Sequence, residues 1–540
     1  MDRSVRGSRS AAVLARLRPA PVAVVAGEGA VWVLNADSPS LTRIDPRDAT
    51  VKATIPLGVG SNPTAIAIGA GAVWVALTGD GAIARLDARS DDVEKIDVGG
   101  APTGVAVAQR RIWISVQPGF RTGQRVRARA VRVPGAIDEP FCTPVEFAAQ
   151  GAPDFLIASD FPLQVAINNL QPLQFTDAVR FMLARRGFRA GRYRVGYQSC
   201  DDSTVQISQA TESPWTPATC RRSGRTYSDA TKVLGVIGPY HSGCASFLIP
   251  GLGRARDGPL ALISGSATAL GLTRGGPGAQ QGEPQRYYPT GTRNFARVVA
   301  ADHVQGAAAV VTAKRTGVKR LFVLDDAEPY GIGLATTVRR AAGSVGIVVA
   351  GSGTWRYPPR DYRRLARRIA RSGADGVFLG GYGFLAGGKL LRDLRSILGR
   401  RVELLAPDGF SEFRDVVQRA GAAAEGLVVS VAGPPVDGLP ASGRRFARAF
   451  EDAIGGSADP YSITTAQATD VLLDAIAASD GTRASVTEEL LKVRVRNGLL
   501  GSFRFDANGD MTAPAVTMYR IEQGKPRVRA VVTPPASLLR

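Results

Sequence analysis

Histidine is almost missing from this chain: His241 and His303 are the two copies in 540 residues. With no CxxC pair and no Cys/His cluster, a zinc centre has no ligand set. No run of about 18 apolar residues occurs, which excludes a conventional membrane-spanning helix. There is no GxSxG elbow and no pair of histidines at metal-binding spacing. Lysine is scarce as well, at 52, 95, 232, 314, 319, 389, 492 and 525, so the 67 basic residues are overwhelmingly arginine. They outnumber the 47 acidic residues and leave a net charge of +20. Such a charge attracts anionic surfaces without specificity. The arginines are spread along the chain without a nucleic-acid motif, so no nucleic-acid partner is expected.

Four cysteines, Cys142, Cys200, Cys220 and Cys244, allow three full pairings. Cys200 and Cys220 flank a loop rich in Ser, Thr and Pro, the kind of excursion a disulfide ties down. That predicts an oxidising compartment. The N-terminus sits awkwardly with export. Arg16 and Arg18 interrupt its short apolar stretch and make residues 1–21 a poor signal peptide. The chain is then a fragment, has a misassigned start, or stays inside the cell.

Residues 22–118 hold an internal repeat. Gly29-Ala30-Val31-Trp32-Val33 returns as Gly71-Ala72-Val73-Trp74-Val75, and loosely as Arg111-Ile112-Trp113-Ile114-Ser115. Strand-sized runs at a period of about 40 residues are the mark of propeller blades. The segment resembles the β-propeller repeats of the virginiamycin B lyase-like and surface-layer (YVTN-type) families. It covers fewer than three blades, and it has no histidine to carry lyase chemistry. A linker is expected over 119–152, where Arg121, Arg125, Arg127, Arg129 and Arg132 crowd around Gly and Pro.

From about residue 153 short apolar runs alternate with helical patterns, as in a doubly wound α/β fold repeated twice. Four small, hydroxyl-bearing loops follow such runs. They are Gly238-Pro239-Tyr240-His241-Ser242-Gly243, Ser264-Gly265-Ser266-Ala267-Thr268, Asp325 to Gly331, and Gly380-Gly381-Tyr382-Gly383. Ligands bind outside the carboxyl ends of parallel strands, so these loops are the expected site. A helix is expected over 293–313.

Enzyme signals are weak. Gly383, Gly388 and Lys389 have P-loop spacing, yet Leu390 stands where a Ser or Thr would hold magnesium, and the match reads as chance. The pairs Asp201-Asp202 and Asp325-Asp326 read as structural rather than as acid–base or cation sites. No catalytic residue, metal or cofactor is expected.

Seven segments from Val233–Gly243 (VLGVIGPYHSG) to Gly501–Asp510 (GSFRFDANGD) occur in one family order. Among them are Leu262–Thr268 (LISGSAT) and Phe322–Ala335 (FVLDDAEPYGIGLA). On these segments residues 153–530 resemble a type I periplasmic solute-binding protein, the branched-chain amino-acid (Leu/Ile/Val) receptor class of ABC importers. The resemblance implies two hinged lobes joined by three crossovers. Lobe one would take about 153–301 and 434–500, and lobe two about 302–433 and 501–530, within a domain running to 540. It implies a non-enzymatic, extracytoplasmic receptor that captures an amino acid or similar small polar ligand. An ABC permease would be its partner, and membrane contact would come through that partner or an absent anchor. It aligns Ser242 with a carboxylate-binding serine, and Ser266 and Thr268 with the loop that holds carboxylate and amine. Tyr330 and Tyr382 align with tyrosines that line and cover the ligand, and Asp408 with the acid that pairs with the ammonium. His241 is expected at the rim. Two departures stand out: Ser264-Gly265 where Ser-Pro is common, and Asp408 where Glu is common. On residues alone, Ser266 and Thr268 also suit a helix cap, Tyr330 and Tyr382 a core, and Asp408 a turn. A ligand-sensing domain of a larger signalling protein is the alternative function.

Overall fold

The computed structural model describes residues 21–35, 39–58, 61, 63–78, 80–88, 90–98, 101–109, 111–117, 129–139, 141–163, 171–203, 215–356 and 361–539. The segment 1–20 and the arginines Arg121, Arg125 and Arg127 lie outside them.

The repeat is visible as structure. Pro21–Gly27, Ala30–Asn35, Ser40–Ile44 and Val51–Pro56 form a four-stranded antiparallel meander in chain order. Pro63–Gly69, Ala72–Leu77, Ala82–Asp87 and Val93–Asp97 form a second. The pair Ala101–Ala108 and Arg111–Gln117 begins a third. The repeated tryptophans do the same job in both meanders. The indole of Trp32 donates to the Gly27 carbonyl at 3.2 Å, and that of Trp74 to Gly69 at 3.0 Å. Trp113 has no further sheet over it among the described residues and is 56% exposed. Two meanders and a hairpin fall short of the roughly four blades that a closed ring needs.

Beyond them, among the described residues, lie two large sheets, one per lobe, and the small hairpin Arg494–Gly498 with Gly501–Arg504. The first runs in the order Arg129–Val131, Val145–Phe147, Tyr193–Asp201, Phe155–Phe161, Val233–Ile237, Ala261–Ser264, Phe295–Arg297. Its five central and later strands are mutually parallel. Val233–Ile237 is buried at every position, which is why it reads as an unbroken apolar run rather than an alternating one. The stretch expected as linker adds the first two strands at its edge.

The second sheet runs Val348–Thr354, Arg320–Asp325, Gly376–Gly380, Glu403–Ala406, Val428–Val431, Val516–Glu522, Lys525–Val532. The chain changes lobe between Arg297 and the helix Asp302–Arg315, which packs on the second sheet. It returns after Val431, since the helices Pro460–Ala478 and Arg483–Lys492 pack on the first sheet. It crosses again before Val516.

Two expectations are corrected, one helix start and one cysteine pairing. No helix starts at 293: Phe295–Arg297 is a strand and the helix begins at Asp302. An apolar run such as Phe295–Ala301 has no period of its own, and pairing with Leu262–Ser264 decides it. The P-loop imitation, read as chance from the sequence, lies inside the helix Gly383–Leu398, where Lys389 pairs with Asp393 at 2.7 Å. Cys200 does not pair with Cys220. Cys142 bonds to Cys200, its neighbour across an antiparallel bridge, and Cys220 bonds to Cys244 between two packed helices.

Candidate functional site

Every one of the four loops follows a parallel strand, and three of them open a helix whose first N–H groups have no side-chain cap. The N-cap residues are His241, Glu328 and Tyr382, before the helices Ser242–Leu252, Pro329–Ser344 and Gly383–Leu398. Uncapped helix N-termini are ready donors for an anion or a polar ligand group.

Ser242 begins the first of these helices, and its hydroxyl accepts the Ala269 N–H at 3.1 Å. That bond ties the first loop to the second. Ser264 tightens the second loop. Its hydroxyl donates to Pro239 at 2.9 Å and accepts the Ala267 and Ser266 N–H groups at 2.9 and 3.1 Å. The Ser266 hydroxyl then donates to the Tyr240 carbonyl at 3.2 Å. Neither Ser266 nor Thr268 caps a helix, for the short turn Leu270–Leu272 is preceded by Ala269 with no side-chain cap.

On the opposite lobe Tyr330 and Tyr382 are buried and stack at 4.8 Å between ring centres. The Tyr330 hydroxyl donates to Asp408 Oδ1. Asp326 fixes the fourth loop by accepting the Tyr382 N–H at 2.9 Å. Asp408 opens the turn Asp408–Phe410, and its Oδ2 accepts the Tyr461 hydroxyl at 2.5 Å. Burial pushes the Asp408 carboxyl up, while the hydrogen bonds from Tyr330, Tyr461 and Gln305 oppose that rise. Asp302 and Asp326 are each pushed up to about 8 by burial.

All six residues expected from the sequence line one cavity between the lobes, together with Tyr240, Gly409 and Tyr461. Its volume is about 20 Å³, room for roughly one water, so a solute enters only when the lobes part. His241 is not at the rim. It is 1% exposed, edge-on to Tyr240 at 4.6 Å and to Tyr382 at 5.5 Å. Burial lowers it to about 3, so the ring is neutral and acts as an aromatic wedge between the lobes.

Tyr461 and Gln305 were not legible as site residues. The helix that carries Tyr461 begins at Pro460, earlier than its apolar pattern suggests. The signal was Asp459-Pro460, an N-cap followed by proline at the first helical position.

A model of the periplasmic binding protein family matches residues 216–526. The chain belongs to that family. It is a solute-binding receptor with the two-lobed type I fold, and the family binds solutes without transforming them. The family is extracytoplasmic, and no helix among the described residues is long and apolar enough to cross a membrane. The receptor is 24% identical over 277 residues to the leucine-, isoleucine-, valine-, threonine- and alanine-binding protein of Pseudomonas aeruginosa. That match spans 51% of this chain and 69% of the relative. Its fold is similar to that of a leucine-binding protein from Thermotoga maritima, with TM-score 0.59 and 21% identity over 70% of this chain and 99% of the other. A solute-binding protein from R. palustris, solved with benzoate, is similar at TM-score 0.56 and 17% identity, over 70% and 96% of the two chains. The N-terminal antiparallel sheets lie outside the family match.

Proposed function

We propose that this receptor captures an amino acid, or a similarly small carboxylate with an apolar body, by closing its lobes over it. The observation that carries the reading is the meeting of Ser242, Ser266, Thr268, Tyr330, Tyr382 and Asp408 on one interlobe cavity. The carboxylate sits at the N-terminus of the Ser242 helix, within reach of the Ser266 and Thr268 loop. The ammonium pairs with Asp408, a charge-assisted bond strengthened by burial. Tyr240, Tyr330 and Tyr382 supply the aromatic part of the lining for the body of the ligand. The curated relative named for five amino acids supports this ligand class. Two disulfides, with no free cysteine, suit an extracytoplasmic receptor. Delivery to an ABC-type permease completes the proposal.

A second reading, a sensing unit, is favoured by one feature. The solved neighbour from T. maritima is covered almost whole, at 99%, by 70% of this chain, and the antiparallel N-terminal sheets come in addition. A thermal-shift screen of the full chain against the twenty amino acids, small carboxylates and benzoates tests the ligand assignment. A ligand bound only by the folded state raises the melting temperature. A well-folded protein that none of them stabilises would defeat the assignment.

A further inference from the structure

A second cavity among the described residues lies apart from the cleft. It measures about 390 Å³ and lies beside the crossovers. One wall is the segment that follows the strand Ala261–Ser264 and carries Arg274 and Arg293. Facing it are His303 and Arg340, on the helices Asp302–Arg315 and Pro329–Ser344 of the other lobe. Asn508, in the last crossover, and the terminal Leu538 and Leu539 complete the wall.

The charge of this lining is one-sided. No Asp or Glu belongs to it, while three arginines and a histidine do. Arg274 is matched, pairing with Asp506 and with Asp510 at 2.7 Å. Asp510 also takes the buried Arg297 at 2.7 Å, so these two arginines and two carboxylates cancel. Arg293 and Arg340 have no carboxylate partner among the described residues. Arg293 donates to the Thr273 carbonyl at 2.9 Å and lies over the Tyr288 ring. The Nδ1 of His303 is buried without a hydrogen-bond partner.

We infer a second ligand site here, for a small organic polyanion that carries two or more carboxylate or phosphate groups. Two uncompensated guanidiniums on opposite lobes ask for at least two negative charges on one molecule, because each arginine prefers a planar, two-oxygen partner. The volume falls within the ordinary range for organic ligands and is far larger than one inorganic anion fills. The Thr337 hydroxyl, the Asn508 amide and the His303 nitrogen add neutral polar contacts. An occupant would touch both lobes and one crossover, which places it where the angle between the lobes changes.

The experiment is a calorimetric titration of the full chain with citrate, and separately with inorganic phosphate. Every point is matched in ionic strength with sodium chloride, since screening weakens any nonspecific attraction to this basic protein. The site predicts saturable citrate binding that Arg340→Glu and Arg293→Gln each weaken by about tenfold or more. Arg340 is exposed, so its substitution should leave the fold intact, and circular dichroism of both variants checks this. Citrate that behaves like chloride would overturn the inference. So would citrate binding that survives both substitutions. Phosphate that saturates where citrate does not would overturn the assignment to an organic polyanion.

Discussion

Tyr461 donates its hydroxyl to Asp408 Oδ2 at 2.5 Å, and the bond joins the two lobes. Tyr461 belongs to a helix packed on the first sheet, and Asp408 follows a strand of the second. The same hydroxyl accepts the Ala432 N–H at 3.2 Å, next to the middle crossover. Tyr461→Phe keeps the ring and removes the latch. It leaves a buried carboxylate oxygen short of a donor, which costs the closed form about 1–3 kcal/mol. Small-angle scattering should show a larger radius of gyration for Tyr461→Phe without ligand. An unchanged radius and melting temperature would show that the bond does not hold the lobes together.

The contribution of Asp302 and Asp326 to stability should fall as pH rises from about 4 towards 8, against the opposite trend of His241 and His303, which burial lowers to about 3 and about 4. Asp302 and Asp326 have folded-state values raised to about 8 by burial, from an ordinary 3.8. Between those limits the folded state holds protons that the unfolded state gives up. Their stabilising contribution is therefore full below about 4 and is lost as pH climbs through 8. The Asp302 carboxyl is buried, with no positive charge paired to it among the described residues, and the Thr268 hydroxyl beside it offsets only part of its burial. Asp302→Asn should raise stability by about 1–3 kcal/mol at pH 8 and change little at pH 4. Melting temperature against pH for both proteins checks this, and parallel curves would contradict it.

Peptide mapping without reduction should recover Cys142 joined to Cys200 and Cys220 joined to Cys244. The first bond spans 58 residues and pins the edge strands Arg129–Val131 and Val145–Phe147 to lobe one. Its removal by the Cys142→Ser, Cys200→Ser double substitution should cost about 2–4 kcal/mol. Denaturant unfolding measures the loss, and recovery of a Cys200–Cys220 peptide would refute the arrangement.

Gly265 is the departure from the Ser-Pro pattern that the structure explains. A Cβ there would meet the Thr465 nitrogen at 2.8 Å and the Thr464 carbonyl carbon at 2.9 Å, backbone atoms that cannot swing aside. The Thr464 hydroxyl also donates to the Gly265 carbonyl at 2.7 Å. Gly265→Ala should displace the Ser266–Thr268 loop, lower stability by about 1–3 kcal/mol and weaken ligand binding. Wild-type affinity in this variant would remove the loop from the site.

Much of this was legible because buried parallel strands write themselves as apolar runs. Val233–Ile237 and Gly376–Gly380 are buried at every position, so the loops after them could be placed from sequence. The residues aligned by family order meet in space for the same reason. What escaped was set by tertiary contact. Phe295–Arg297 became a strand through its neighbour. Cys200 found Cys142 across a bridge. His241, expected at the rim, is instead enclosed by aromatics of both lobes, a burial that only tertiary contact sets.

In the proposed complex, Asp408 and Ser242 hold opposite ends of one small solute between the lobes. Calorimetric titration of the best-stabilising solute into the wild type, Asp408→Ala and Ser242→Ala tests it most directly. Binding should be saturable and one-to-one, and each substitution should weaken it by roughly a hundredfold, as loss of a buried charge-assisted partner does. Binding at wild-type affinity in both variants, with their folds intact, would contradict it and place the solute elsewhere.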